Sequence, residues 1–143
     1  MILRAKEKQL TQAAALAAEL WPGSTPEELL AELEQLSPSE GAVFLAVENG
    51  VAAGFAQCQL RHDYVEGTRT SPVGYLEGVY VRKDFRGRGL ARALLSACED
   101  WAKEQGCLEF ASDCAVDNGE SIAFHRSARF DEANRIVCFT KRL

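Results

Sequence analysis

The run Val79-Tyr80-Val81-Arg82-Lys83-Asp84-Phe85-Arg86-Gly87-Arg88-Gly89-Leu90-Ala91 constrains this chain more than any other segment. An apolar strand breaks into an arginine- and glycine-rich turn, and the turn opens an amphipathic helix. Leu90, Ala93, Leu94, Ala97 and Trp101 recur at helical spacing, so the helix lays one apolar stripe on a sheet. Gly106 ends it, and Leu108 to Ala111 reads as the next strand. A strand, a right-handed crossover and a second strand place the two strands parallel in one sheet. The turn itself is suited to an anion. Two glycines remove Cβ atoms where a phosphate must approach the backbone, while the first-turn N–H groups and the helix dipole attract negative charge. Arg86, Arg88 and Arg92 add positive charge around it.

The remaining elements follow from spacing and turn chemistry. Ile2-Leu3-Arg4 reads as a short edge strand and Gln9 to Leu20 as an alanine-rich helix stopped by Trp21-Pro22-Gly23. Thr25-Pro26-Glu27-Glu28 is a capping box with Pro at the first helical position, opening a helix to about Leu36. The apolar runs Phe44 to Val47 and Val51 to Leu60 flank Asn49-Gly50, a hairpin signal. Arg61 to Pro72 is a long polar loop, and loops of that length in compact domains are usually functional. Tyr75 to Val81 is a strand, Ser121 to Ser127 a short helix and Ile136 to Lys141 a final strand. The order β-α-α-β-β-β-α-β-α-β describes an α+β protein with a mixed sheet. No repeat or linker divides residues 1–143, so one domain with one core is expected.

Composition narrows the partners. The net charge of −5 argues against nucleic acid, which calls for a basic face. No apolar run approaches the ~20 residues that cross a bilayer, and the first residues lack an export signal, so no membrane partner and a cytoplasmic location are expected. Cys58, Cys98, Cys107, Cys114 and Cys138 are odd in number, contain no C-x-x-C and sit in apolar sequence. They read as small buried hydrophobes, with neither disulfides nor a metal site.

Strand, glycine turn and helix are shared by several phosphate loops. The P-loop is excluded because Leu90-Ala91 stands where its Lys-Ser/Thr pair belongs. The dinucleotide fingerprint fits Gly87-x-Gly89, with Glu109 at a tolerable distance for a ribose contact, but puts Arg92 where a third small residue must pack. What remains, Arg86-x-x-Gly89-x-Ala91, resembles the acetyl-coenzyme A pyrophosphate loop of the GCN5-related N-acetyltransferases. The likeness continues through a strand, then Asn118 opening Gly119-Glu120-Ser121-Ile122-Ala123-Phe124-His125, then Ser127-Ala128-Arg129-Phe130. Two positions depart from the pattern. His125 stands where many members carry a Tyr acid, and Arg129 replaces a helix-ending glycine, which implies a non-glycine cap with left-handed strain. The resemblance implies a single acetyltransferase domain with a splayed central parallel strand pair. It also implies acetyl-coenzyme A held by Val79, Val81, Arg86, Gly87, Arg88, Gly89, Leu90, Ala91 and Asn118. Asn118 is in addition a favoured N-cap in its own right.

Glu77 is the first candidate for chemistry. Alternation places it on one face of its strand with Tyr75, Val79 and Val81, where a half-buried carboxylate serves as a general base or else pairs with an arginine. The neighbouring Gly78 suggests a bulge that re-aims the side chain. A base is needed because an amine with pKa ~10 is mostly ammonium at neutral pH and has no lone pair. His125 either supplies the proton that the leaving thiolate takes or is simply packed. Asp113 closes the strand beside the cofactor strand, where ligands bind in open α/β sheets.

Longer phrases sharpen the likeness. Leu20-Trp21-Pro22-Gly23, Arg61-His62-Asp63-Tyr64-Val65, Leu76-Glu77-Gly78 and Ala111-Ser112-Asp113 resemble the aminoglycoside 6′-N-acetyltransferases. That resemblance implies a polycationic antibiotic held by Trp21, His62, Asp63, Tyr64, Glu77 and Asp113, with Glu77, Asp113 and His125 catalytic, and a homodimer. Acetylation of another amine, such as a polyamine or a protein N-terminus, and a non-catalytic acetyl-coenzyme A sensor are the alternatives.

Overall fold

The computed structural model describes residues 1–143 as nine principal elements. In chain order these are β1 (Ile2–Arg4), α1 (Lys8–Leu20), α2 (Pro26–Glu34), β2 (Gly41–Glu48), β3 (Val51–Arg61), β4 (Val73–Val81), α3 (Leu90–Glu104), β5 (Phe110–Ser112) and α4 (Gly119–Ser127). The strands form one sheet in the order β1-β2-β3-β4-β5. Neighbours are antiparallel up to β4, and β4 runs parallel to β5.

Local chemistry sets the joints. Asn49 and Gly50 both take positive φ, 49° and 77°, the mirror-image turn that suits a tight hairpin. Thr25 accepts from the Glu28 N–H at 3.1 Å while Glu28 reaches back to the Thr25 N–H, which closes the capping box on α2. At the end of α4, Phe130 N–H bonds His125 O at 2.9 Å and Arg129 N–H bonds Arg126 O at 3.0 Å, with Arg129 at φ 70°. That is a Schellman cap carried by arginine, as the missing glycine implied.

Two apolar layers cover the sheet. On one face Ala13, Ala14, Leu16 and Ala17 of α1 and Leu29 and Leu33 of α2 pack on Val43, Leu45 and Phe55. On the other, α3 buries Leu90, Leu94, Leu95, Cys98, Trp101 and Ala102 against Ala42, Ala46, Ala53, Ala56 and Cys58. The stripe is turned slightly from the expected one, since Ala93 and Ala97 lie at its margin. Large helix side chains meet a row of small strand residues, and that complementarity selects the face that faces inward.

Two expectations are corrected. The final strand at Ile136 to Lys141 does not pair with the sheet, and residues 131–143 are exposed, with Phe139 88% accessible. An apolar, β-branched run alone does not make a strand without a neighbour to bond. The cysteines also divide. Cys58, Cys98 and Cys107 are buried, whereas Cys114 and Cys138 are exposed, because the segments that carry them lie outside both apolar layers.

Candidate active site

β4 and β5 pair over three residues only, Gly74 with Phe110, Tyr75 with Ala111 and Leu76 with Ser112. Beyond Leu76, β4 continues alone to Val81, so its edge from Glu77 to Val81 has no strand on the β5 side. Sheet register breaks at the same place. Gln57 of β3 faces Gly78 and Cys58 faces Leu76, which leaves Glu77 as the extra residue of a bulge. The bulge turns its carboxylate out of the normal alternation, and the side chain remains 20% exposed.

Glu77 opens into a cavity of about 270 Å³ lined by Trp21, Ser24, Leu29, Glu32, Gln57 and Glu77. Trp21 caps α1 and lies edge-on to Phe55 with centroids 5.9 Å apart. It is also pressed on Gly78, where a Cβ would come within 2.6 Å of the indole Cζ2.

A chain of polar contacts runs outward from Glu77. Arg61, the last residue of β3, donates from Nε to Oε1 at 3.2 Å and from Nη2 to Oε1 and Oε2 at 3.0 and 3.1 Å. Its guanidinium lies 3.7 Å from the centroid of the Tyr75 ring. The Tyr75 hydroxyl donates to Asp113. Burial first, then the bond to Asp113 and its charge, push the Tyr75 phenol far above its ordinary range, so it stays a donor. Both alternatives for Glu77 therefore coexist: it is a bulged carboxylate facing a cavity, and it is paired with an arginine.

His125 joins the site from α4. Its Nδ1 lies 2.7 Å from the Ser121 carbonyl, which only accepts, so Nδ1 carries the proton in that bond. Nε2 is then left to the Ser112 hydroxyl at 2.8 Å, and Ser112 Oγ in turn lies 3.4 Å from Leu76 O at the point where the strands part. Phe124 and Phe130 pack edge-on against the ring. Asn118 caps α4 by accepting from Ser121 N–H at 3.1 Å.

The glycine turn is an open cradle. Gly87 and Gly89 have φ of 79° and 76°, and a Cβ on either would meet nothing within 4 Å. Gly89 is the N-cap of α3, whose first helical bond is Ala93 N–H to Gly89 O, so the N–H groups of Leu90, Ala91 and Arg92 precede it. Arg86 is anchored by Nε to Val81 O at 2.9 Å, Arg88 rests 5.5 Å from the Phe85 ring centroid, and Arg92 donates to Ser127 O. Left-handed glycines, free first-turn donors and three cations fit a diphosphate, and the β4 edge at Val79 and Val81, which no strand covers, fits an extended amide-bearing arm. No group of three His, Cys, Asp or Glu side chains is placed to hold a metal ion, and no helix is long and apolar enough to cross a membrane.

The loop after Arg61 is arranged differently from the implied antibiotic wall. His62 pairs with Glu40 at 2.8 Å, and Asp63 and Tyr64 are exposed, Tyr64 by 76%. None of the three lines the cavity of Trp21 and Glu77. The loop is stapled by Glu109, which accepts from the N–H groups of Arg69 and Thr70 at 2.9 and 2.8 Å and from the Thr70 hydroxyl. Those bonds, the Thr70 hydroxyl first, hold the Glu109 carboxyl below its ordinary range and give the residue a task other than a ribose contact. Glu32, Gln57, Tyr75 and the fork of Arg61 are the site residues that spacing did not single out. Arg61 alone left a signal, since a half-buried carboxylate on β4 called for a cation.

A profile of the acetyltransferase (GNAT) family matches residues 9–130, and this chain belongs to that family. Among its relatives is an aminoglycoside N(6′)-acetyltransferase type 1 of Stenotrophomonas maltophilia, 48% identical over 88% of this chain and 82% of that protein. The enzyme of the same name from Salmonella typhimurium is 41% identical over 89% and 88%. The structure superposes on AAC(6′)-Iy in complex with the bisubstrate analogue CoA-S-monomethyl-acetylneamine with a TM-score of 0.94, at 38% identity, covering 100% of this chain and 98% of that one.

Proposed function

We propose that this protein transfers an acetyl group from acetyl-coenzyme A to the 6′-amine of an aminoglycoside, by direct attack within a ternary complex, and so confers resistance. The carrying observation is Glu77, the bulged residue between Leu76 and Gly78, set in an acidic cavity at the point where β4 and β5 separate. The cradle of Arg86, Gly87, Arg88, Gly89, Leu90 and Ala91 holds the diphosphate, the open edge at Val79 and Val81 bonds the arm behind it, and Asn118 flanks it. The cosubstrate supplies a thioester, whose carbonyl is open to an amine.

The residues of the chain then act on the acceptor. Trp21 gives an apolar wall to a sugar ring, Glu77 and Glu32 attract its ammonium groups, and Glu77 takes the proton that frees the lone pair. Holding the two reactants together replaces a bimolecular encounter by a local one. In its imidazolium form His125 carries a proton on Nε2 as well as on Nδ1; Nε2 passes its proton to the Ser112 hydroxyl, which gives its own to the departing sulfur, and the ring is left neutral. Asp113 acts through Tyr75, while His62, Asp63 and Tyr64 stay outside the cavity that receives the acceptor.

The homodimer and the cytoplasmic site of action belong to the same reading. β5 has a neighbour on one side only, while the tail exposes Ile136, Val137 and Phe139. A free strand edge and an exposed apolar segment are both satisfied when two copies meet.

Thiol release measured with kanamycin, spermidine and a peptide as acceptors tests the assignment. Release with kanamycin and not with the other two is expected. Equal or faster release with spermidine or the peptide would reassign the acceptor, and tight coenzyme A binding with no release for any amine would make the chain a sensor.

A further inference from the structure

The carboxylate that a substrate ammonium must reach already has a cation on it. Arg61 meets Glu77 with three hydrogen bonds between 3.0 and 3.2 Å. Its side chain is 41% exposed against 20% for Glu77, so the guanidinium sits nearer the solvent than the group it covers. The flat face of the guanidinium rests on Tyr75, whose hydroxyl is tied to Asp113. A fork bonded to both oxygens and stacked on a ring is held better than a single exposed pair, and far better than one free ammonium is held in water.

The cavity beside it contains a second acid. Glu32, from α2, lines the same space as Glu77 and has no cation of its own within 4.0 Å. An acceptor with several ammonium groups therefore meets two carboxylates, one free and one covered. An acceptor with a single ammonium gains only one contact, and must exchange it for the existing one.

We propose that Arg61 is a specificity-determining residue, a resident cation on Glu77 that polycationic acceptors displace and isolated amines do not. The inference rests on Glu77 as the group that receives the acceptor amine. When Arg61 leaves, its exposure lets it swing to solvent, and the face of Tyr75 becomes available to the incoming sugar or its charge. Lysine keeps the charge and loses the fork, so it holds Glu77 less firmly.

The test is steady-state thiol release by the full chain with kanamycin and with 6-amino-6-deoxyglucose, which presents one comparable amine on one sugar. Wild type, Arg61→Met and Arg61→Lys are compared, with the monoamine also titrated as a competitive inhibitor of kanamycin turnover. Arg61→Met should reduce the kcat/KM preference for kanamycin on the order of tenfold, carried by a lower KM or Ki for the monoamine, and Arg61→Lys should fall between. Should Arg61→Met fail to fold, Arg61→Gln takes its place, with the melting temperature and coenzyme A affinity as controls. An unchanged preference, or a loss of kcat for both acceptors at constant KM, would overturn the proposal and leave Arg61 as a strut for Glu77. Glu77→Gln separates the two readings: if it turns over kanamycin at the wild-type rate, the role of Glu77 fails, whatever Arg61 does.

Discussion

The indole of Trp21 lies so close over Gly78 that a Cβ at that position would stand 2.6 Å from Cζ2 and 2.7 Å from Cη2. This contact couples the end of α1 to the bulge of β4, and it places an aromatic wall one residue from the bulged Glu77. The glycine is needed here because of its neighbour, since its φ is ordinary.

Gly78→Ala should therefore damage acceptor binding more than cofactor binding. The indole must move or the bulge must flatten, and overpacking of this kind costs about 1–3 kcal/mol. The expected outcome is a KM for kanamycin raised on the order of tenfold, with coenzyme A affinity by calorimetry close to wild type. Equal losses on both sides would show that the bulge supports the whole cleft.

Gly89→Ala isolates a backbone effect. A Cβ there touches nothing, but at φ 76° an alanine carries left-handed strain of about 1–2 kcal/mol. Relief of that strain would rotate the peptide that begins α3. We expect coenzyme A to bind on the order of tenfold more weakly, with the kanamycin KM little altered, as read by calorimetry and saturation kinetics.

Tyr75 makes stability depend on alkaline pH. The unfolded chain releases the phenol proton near pH ~10, whereas burial and Asp113 keep the folded phenol protonated well above that. The unfolded state then binds fewer protons than the folded one, so the contribution, complete below about pH 10, is lost as pH rises past it. Thermal melts of Tyr75→Phe should lack part of the decline that wild type shows above about pH 10. Parallel declines would contradict the burial and bonding assigned to Tyr75.

Phe139 is 88% exposed, in a tail that forms no strand with its own chain. Phe139→Asp should shift the sedimentation coefficient from that of a dimer to that of a monomer at micromolar concentration, without changing the helical circular dichroism. A monomeric wild type would remove the dimer from the account.

Much of this architecture was legible because it rests on local chemistry. Asn49-Gly50, the capping box at Thr25 and the glycines at 87 and 89 dictate their own backbone, and the crossover through α3 fixes the parallel pair. Gly78 even marked the bulge that isolates Glu77. The unread parts are those set by distant partners. Arg61 reaches Glu77 across 16 residues, Tyr75 reaches Asp113 across 38, and His62 turns to Glu40 across 22. Glu32 looks like any solvated residue on α2 until the fold brings β3 and β4 alongside. The final segment has strand composition, yet it joins no strand of the sheet in its own chain.

Glu77 carries the central claim, and single-turnover acetyl transfer to kanamycin by Glu77→Gln tests it most directly. The amide keeps the shape of the side chain and one acceptor for Arg61 but takes no proton. The account predicts a rate lower by about 10²- to 10⁴-fold, with coenzyme A binding preserved. A variant that transfers acetyl at the wild-type rate would contradict it.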